Sequence, residues 1–387
     1  MRVTHVITRL IVGGAQENTV ASVLGLRQKP DLKVDLISGP TSGPEGSLIS
    51  ACENIPGLLT VVPELVRDIH PLKDWSARRS LTRLFATWRP DIVHTHSGKA
   101  GVLGRLAAAR AGVPVIIHTI HGPSFGPFQN WAANVLFRFA ERRAAKVTTH
   151  FVVVANAMSR QYLDAGIGRP QQYTRVFSGF DLKPFLAAQN DPGLRAKFGL
   201  SQEDIVVGKI ARLFKLKGHD DLIGIAPRLI QDCPRIKFLL VGDGAWRERL
   251  EQRVRNLQME KHFVFTGLVP PSEVPALVGI MDFLVHLSLR EGLARALPQS
   301  LAAGKPVVAY DCDGAREVCL GNETGFLVPP GDLTCLSDRL LRLANDSALR
   351  ARLGSRGQGL VRDLFPVERM VEDLYQLYQR LLEQQKF

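Results

Sequence analysis

Cysteine is scarce in this chain, and none is paired at short range. Five cysteines (Cys52, Cys233, Cys312, Cys319 and Cys335) are spread over 387 residues with no CxxC. That argues against a disulfide framework or a zinc ribbon and fits a reducing compartment. Long apolar runs are also missing. No uninterrupted stretch approaches the roughly 18 residues that a membrane span needs. The opening "MRVTHVITRL" has neither an extended apolar core nor a small-residue cleavage site, so no signal peptide is expected. Short-period repeats and low-complexity tracts are absent as well, which excludes solenoids and tail-like segments.

What is there is an ordinary globular balance, 45% hydrophobic and 22% charged, in a chain long enough for two domains. The charge is uneven. Residues 1–180 hold 21 Lys and Arg against 11 Asp and Glu, a net of +10, whereas the remainder holds 28 against 26, a net of +2. A basic first half is expected to meet something anionic; the competing explanation is a solvated face that serves solubility. "ARRSLTRLFATWR" (77–89) and "RFAERRAAK" (138–146) set Arg and Lys beside Leu, Phe or Trp on helical patterns, which suits an anionic membrane surface unless the apolar residues pack inward. Neither stretch forms an aromatic-interleaved basic motif of the nucleic-acid-binding kind, so nucleic acid is not expected as a partner.

Short apolar, β-branched runs alternate with amphipathic stretches throughout. In the first half the runs are 3–8, 33–38, 91–96, 113–120 and 150–155, with helical patterns at 15–28, 71–88, 97–112 and 129–146. A second series follows at 204–213, 236–244, 262–267, 282–288, 305–311 and 325–330. Strands regularly separated by helices make parallel sheets covered on both faces, so an α/β class with two doubly wound domains is expected. The joint falls in "FSGFDLKPF" (177–185), giving domains at 1–180 and 181–365. Residues 366–387 form one amphipathic helix with Pro366 at its start.

Ligands of doubly wound sheets bind beyond the carboxyl ends of the strands. There, "GKIARLFKLKGH" (208–219) places Arg212 and Lys217 ahead of a helix opening at Gly218, two cations suited to a diphosphate. "RLIVGGAQ" (9–16) offers Gly13 and Gly14 for close backbone approach. "VGDG" (241–244) lacks the third glycine of GxGxxG and reads mainly as a tight turn, with Gly242 as a candidate donor contact. His121 leaves a strand into an aromatic, Gly/Pro-rich loop and suits hydroxyl binding or proton handling. His94, His96 and His118 are expected to bond internally. "DCDG" (311–314) has the form of a metal-binding DxD, but its place before a helix makes Asp313 an N-cap, and no metal site is expected. In "REGLARALPQS" (290–300), Glu291 precedes a helix expected from about Ala294. Gln299, eight residues on, lies about 12 Å further along the axis on nearly the same side.

Together these pieces resemble the retaining GT-B glycosyltransferases of family 4 (group 1 type) over almost the whole chain. The resemblance rests on "GGAQ", "DIVHTHSGKAGVLGRLAA", "HG" at 121–122, R-x4-K-G at 212–218, "VGDG", "FTG" and "EGLARALPQSLAAGKPVVA", in that order and spacing. It implies two Rossmann-like domains facing a cleft, the first binding the acceptor, the second a nucleoside-diphosphate sugar, with the final helix crossing back to the first. Arg212 and Lys217 would then bind the diphosphate. Glu291 would hold the transferred sugar, main-chain N–H groups of Gly292, Leu293 and Ala294 the sugar and distal phosphate. His121 would meet the sugar at the reaction centre, and Gly14 would close over the diphosphate. The family's second glutamate is replaced by Gln299, which can still accept a ribose hydroxyl, without full charge.

The expected activity is transfer from a nucleoside-diphosphate sugar, UDP-linked, to a glycan or lipid-linked glycan. No cofactor or metal is expected. The expected place is the cytoplasm or the inner face of the cytoplasmic membrane. A nucleotide-sugar hydrolase or epimerase on the same architecture stays open, to be distinguished by its products. A two-domain binding protein is disfavoured by the missing export signal and the Arg212, Lys217 and Glu291 set.

Overall fold

The computed structural model describes residues 1–41 and 46–385. The chain divides into two compact units, one formed by Met1–Phe180 with the stretch from Val367, the other by Asp181–Pro366. The first is built on a parallel sheet of β1 (Arg2–Ile7), β2 (Lys33–Ser38), β3 (Leu59–Val61), β4 (Ile92–His96), β5 (Val115–Ile120), β6 (His150–Val153) and β7 (Tyr173–Arg175), in the order 3-2-1-4-5-6-7. The second holds β8 (Ile205–Ile210), β9 (Ile236–Val241), β10 (Phe263–Gly267), β11 (Phe283–His286), β12 (Val307–Tyr310) and β13 (Gly325–Val328), in the order 10-9-8-11-12-13. Each order reverses once, between β1 and β4 and between β8 and β11. Strands β4 and β5 are buried at every position, because helices cover both faces of the sheet.

The helix Val367–Glu383 belongs to the first unit. It buries Met370, Val371, Leu374, Leu377, Tyr378 and Leu381 against a core that includes Val3, Ile7, Val23 and Leu36. Burying each large aliphatic side chain contributes about 1.5–3 kcal/mol. Gly25, on the helix Gly14–Leu26, permits the approach: a Cβ there would lie 2.3 Å from Val371 Cγ2. A Lys29–Glu372 ion pair at 2.6 Å closes the edge.

The two basic helical segments part company. In the helix Pro71–Trp88, Ala77, Leu81 and Phe85 are buried, and the Trp88 ring lies under the Arg2 guanidinium, 5.1 Å from its centroid. The membrane-facing expectation therefore fails for residues 77–89, since spacing of four directs their apolar side chains inward. The helix Trp131–Ala145, started by Asn130 accepting from the Ala133 N–H, does the opposite. It packs through Glu141 and Ala144 and leaves Trp131 81% and Phe139 68% exposed, with Val135 and Leu136 half-exposed between them. The same face continues into the exposed Arg142, Arg143 and Lys146 at 3.6 residues per turn. Among the described residues no helix is long and apolar enough to cross a membrane.

Candidate active site

Strands β8 and β11 are neighbours where the second sheet reverses its order. Segment 211–218 leaves the carboxyl end of β8, and segment 287–295 leaves that of β11. They meet because residue 218 is glycine. It sits at φ +65°, and a Cβ there would fall 2.3 Å from the Leu287 carbonyl oxygen, a contact no other residue could make. The Leu289 N–H donates to the Leu216 carbonyl at 2.9 Å. This junction sets Lys217 beside Glu291: Nζ forms an ion pair with Glu291 Oε1 and donates to Ser288 Oγ at 3.2 Å. The lysine's third N–H is left over for a ligand.

Burial alone would raise the Glu291 carboxyl, but Lys217 beside it, helped by the Ser288 hydroxyl, holds its pKa below the ordinary value. His286 Nε2 lies 3.8 Å from Glu291 Oε1, and burial pushes that imidazole down to about 3, so it is neutral. Beneath the pair, Lys209 on β8 is 1% exposed, and its Nζ finds no hydrogen-bond partner among the described residues. Burial, aided by the nearby Lys217 charge, lowers its pKa to about 7.

Asp313 is not a helix cap. It sits at φ +51°, and its Oδ2 accepts from the Glu291 N–H at 2.7 Å, while the Gly314 N–H donates to the Gly292 carbonyl at 2.9 Å. The turn after β12 thus staples the Glu291 segment, and "DCDG" serves the site through its second aspartate. Asp313, Ser288 and Lys209 are the residues sequence reasoning missed. The signal for Asp313 was its place at the end of the strand next to β11.

The remaining expected contacts of the second unit follow the carboxyl ends of β8, β9 and β11. Arg212 is exposed, its guanidinium 5.3 Å from the Phe214 ring centroid, and its carbonyl lies 3.1 Å from His219 Nε2. Gly242 has a packing role: a Cβ there would sit 2.4 Å from the Ala211 carbonyl oxygen, so the turn after β9 can underlie the Arg212 segment. The main-chain N–H groups of Gly292, Leu293 and Ala294 find no acceptor among the described residues. The helix Ala296–Ala302 begins two residues later than expected. Gln299 sits half-buried on it and makes no side-chain bond to Lys217 or Glu291 among the described residues. In the first unit, Gly13 caps the helix Gly14–Leu26, with its carbonyl accepting from the Glu17 N–H at 2.9 Å. His121 follows β5, its Nε2 bonded to His96 Nδ1 at 3.0 Å. His94, His96 and His118 are buried and bonded internally, as expected.

Two doubly wound parallel units, one with a cation and a carboxylate joined at its switch point, define a nucleotide-dependent transferase architecture of the GT-B kind. Comparison with known proteins agrees: residues 13–177 match the glycosyl transferase 4-like domain, and residues 190–359 match glycosyl transferases group 1. The chain belongs to the group 1 (family 4) glycosyltransferases and is an enzyme of that family. It is 29% identical over 325 residues to the UDP-Gal:alpha-D-GlcNAc-diphosphoundecaprenol alpha-1,3-galactosyltransferase of Escherichia coli, covering 81% of this chain and 82% of the relative. It is 23% identical to the capsular polysaccharide biosynthesis glycosyltransferase CapM of Staphylococcus aureus, covering 84% and 85%. The fold matches the crystal structure of Anabaena HepE in complex with UDP and glucose, with TM-score 0.82 and 22% identity over 98% of this chain and 100% of that one.

Proposed function

We propose that the chain transfers a hexosyl group, with retention at the anomeric carbon, from a UDP-sugar to a glycan or lipid-linked glycan in cell-surface or exopolysaccharide synthesis. The observation that carries this is the Lys217–Glu291 pair at the β8/β11 switch point. One member suits a diphosphate and the other a sugar hydroxyl, and their contact puts the two recognition tasks side by side. The E. coli relative, by its name, takes galactose from UDP to a diphosphoundecaprenol-linked acceptor, which supports the choice of UDP and of a lipid-linked acceptor.

In this reading the leaving diphosphate gains negative charge as the glycosidic bond breaks. Lys217, Arg212 and the unused N–H groups of residues 292–294 meet that charge, and such fixed donors aimed at developing charge are the usual main source of enzymatic rate enhancement. With those donors in place the transfer is proposed to need no metal. The acceptor hydroxyl attacks from the face the diphosphate leaves, and a diphosphate oxygen takes its proton, which gives retention. Glu291 holds the sugar, Gln299 the ribose, and His121 a sugar oxygen. Gly13 and Gly14 let main chain approach the donor, and Gly242 serves it indirectly, by letting the turn after β9 underlie the Arg212 segment. The apolar and basic face of Trp131–Ala145 rests on the anionic inner face of the cytoplasmic membrane.

A saturation-transfer screen against UDP-, GDP- and ADP-sugars, followed by NMR of the product, tests the proposal. Binding of a UDP-sugar and a product with the donor's anomeric configuration are expected. Preference for GDP- or ADP-sugars overturns the base assignment. Free sugar or an epimer formed without acceptor makes the enzyme a hydrolase or epimerase.

A further inference from the structure

Six side chains of the first unit form one hydrogen-bonded chain that ends at His121. His121 Nε2 meets His96 Nδ1 at 3.0 Å, and His96 Nε2 meets His5 Nδ1 at 2.9 Å. His5 Nε2 lies 3.4 Å from the Tyr378 hydroxyl, the longest link. That hydroxyl meets His94 Nδ1 at 2.5 Å, and His94 Nε2 meets Thr119 Oγ1 at 2.6 Å. Register explains the line. His5 pairs with His94 across β1 and β4, His96 pairs with Thr119 across β4 and β5, and a step of two residues keeps His96 and His121 on the same face. The helix Val367–Glu383 covers that face and supplies Tyr378.

The cluster is not arranged for a metal. Nitrogens of His5, His94 and His96 come within 4.8 Å of one another. But the His5 and His96 ring planes lie within 13° of parallel, with the bonded nitrogens only 2.9 Å apart. An ion about 2.0 Å from each nitrogen along both lone pairs has no room there.

Burial keeps all four rings neutral: His5 and His121 fall to about 3, and His94 and His96 lie well below their ordinary value. A neutral imidazole has one donor and one acceptor nitrogen. Each imidazole link therefore dictates the next, and the Tyr378 hydroxyl either passes the direction on or accepts from both His5 and His94, which leaves its own buried O–H unused and costs as much as any unsatisfied donor; two directions run through the whole chain. If the Thr119 hydroxyl donates to His94, all four histidines carry their proton on Nδ1. In the reverse direction all four carry it on Nε2, and the Thr119 hydroxyl then has no acceptor among the described residues. An unsatisfied buried donor is costly, so the first direction wins. The half-buried His121 has no further partner on Nδ1 among the described residues, so that N–H is free to face a ligand.

We propose that this chain is a positioning device that holds His121 as its Nδ1–H tautomer, making its free nitrogen an obligate donor to an oxygen of the transferred sugar and not a base. The sugar-facing half of the proposal rests on the transferase reading; the tautomer half does not. Tyr378 and Thr119 are then positioning residues, and Tyr378 acts from a helix far along the chain.

The test uses the full chain labelled with 15N-histidine, with long-range 15N–1H spectra to assign the protonated nitrogen of each ring. Nδ1–H is expected at His5, His94, His96 and His121. Tyr378→Phe should remove both links that the hydroxyl makes, to His5 and to His94, and give His121 a mixture of tautomers. It should lower kcat by about 2- to 10-fold, the effect of weakening one neutral hydrogen bond, with less change in donor KM. Thr119→Val should do the same, and Thr119→Ser should restore both readouts. An Nε2–H pattern in the wild type, or an unmoved His121 in both disrupting variants, overturns the device. A tautomer that moves without any change in kcat overturns its role in transfer. The Nδ1–H pattern in a protein that transfers no sugar counts against the transferase reading and the sugar-facing role, and leaves the tautomer assignment standing.

Discussion

Lys217 and Glu291 each keep the other's charge compensated at a partly buried position, so the two can be separated only by their ligands. Glu291→Gln should leave binding of a free nucleoside diphosphate nearly intact, because the carboxylate addresses the sugar. It should lower transfer by about 10- to 150-fold, the cost of one charge-assisted hydrogen bond. Calorimetry beside a transfer assay checks both; wild-type transfer by this variant removes Glu291 from the site. Gln299→Glu should be tolerated and tighten nucleotide binding modestly, which the same calorimetry reads. Lys209 gives a stability test. Its folded pKa of about 7 lies below the roughly 10.4 of a free lysine. Between those values the unfolded chain binds more protons, so its contribution to stability rises with pH through that window. Lys209→Met should therefore raise Tm most at pH 7 and below, with the gain fading toward pH 10. A gain that does not vary with pH would mean that the amine is not the source. Glu291 and Lys217 were legible in the sequence because charged residues at strand ends stand out against apolar runs. Lys209 was not, because the apolar pattern of β8 does not reveal whether a lysine within it reaches solvent.

At the scale of elements, the long strands and helices were read within three residues of their ends because apolar period and capping residues agree, except the last helix, read to 387 and ending at Glu383. Strands β3 and β7 were missed. Each is three residues long at a sheet edge, too short to show alternation and only partly buried. The histidine chain was hidden for a different reason: sequence gives the alternation of each strand but not the register that sets His5 against His94. Helix Trp131–Ala145 carries the membrane expectation alone, with apolar side chains first along its outer face and cations after. The protein should sediment with vesicles containing anionic lipid at low salt and release as salt screens the charges. A Trp131→Ser/Phe139→Ser double variant should weaken that binding, whereas Leu72→Ser, on the helix Pro71–Trp88, should not. Wild-type protein that stays in the supernatant at low salt with anionic vesicles would leave a soluble anionic acceptor as the explanation of the basic half.

For the whole molecule, each unit has its own core, and the first unit's core is completed by residues 370–381. Leu374→Ala should cost about 2–5 kcal/mol. The loss should appear in residues 1–180, nearly two hundred positions away, and not in the adjoining 181–366. Hydrogen exchange resolves the two: faster exchange in β1 and β2 is expected, and a loss confined to the second unit would contradict the assignment of this helix. The same arrangement has a consequence during synthesis. The unit whose residues emerge first cannot finish its core until the helix Val367–Glu383 has cleared the ribosome, by which time the second unit is already out. At about 5–20 residues per second, the interval between residues 180 and 383 is on the order of ten to forty seconds. Throughout it the apolar ground between Val23 and Leu36 stands open, and a nascent-chain chaperone has a defined stretch of time in which to cover it.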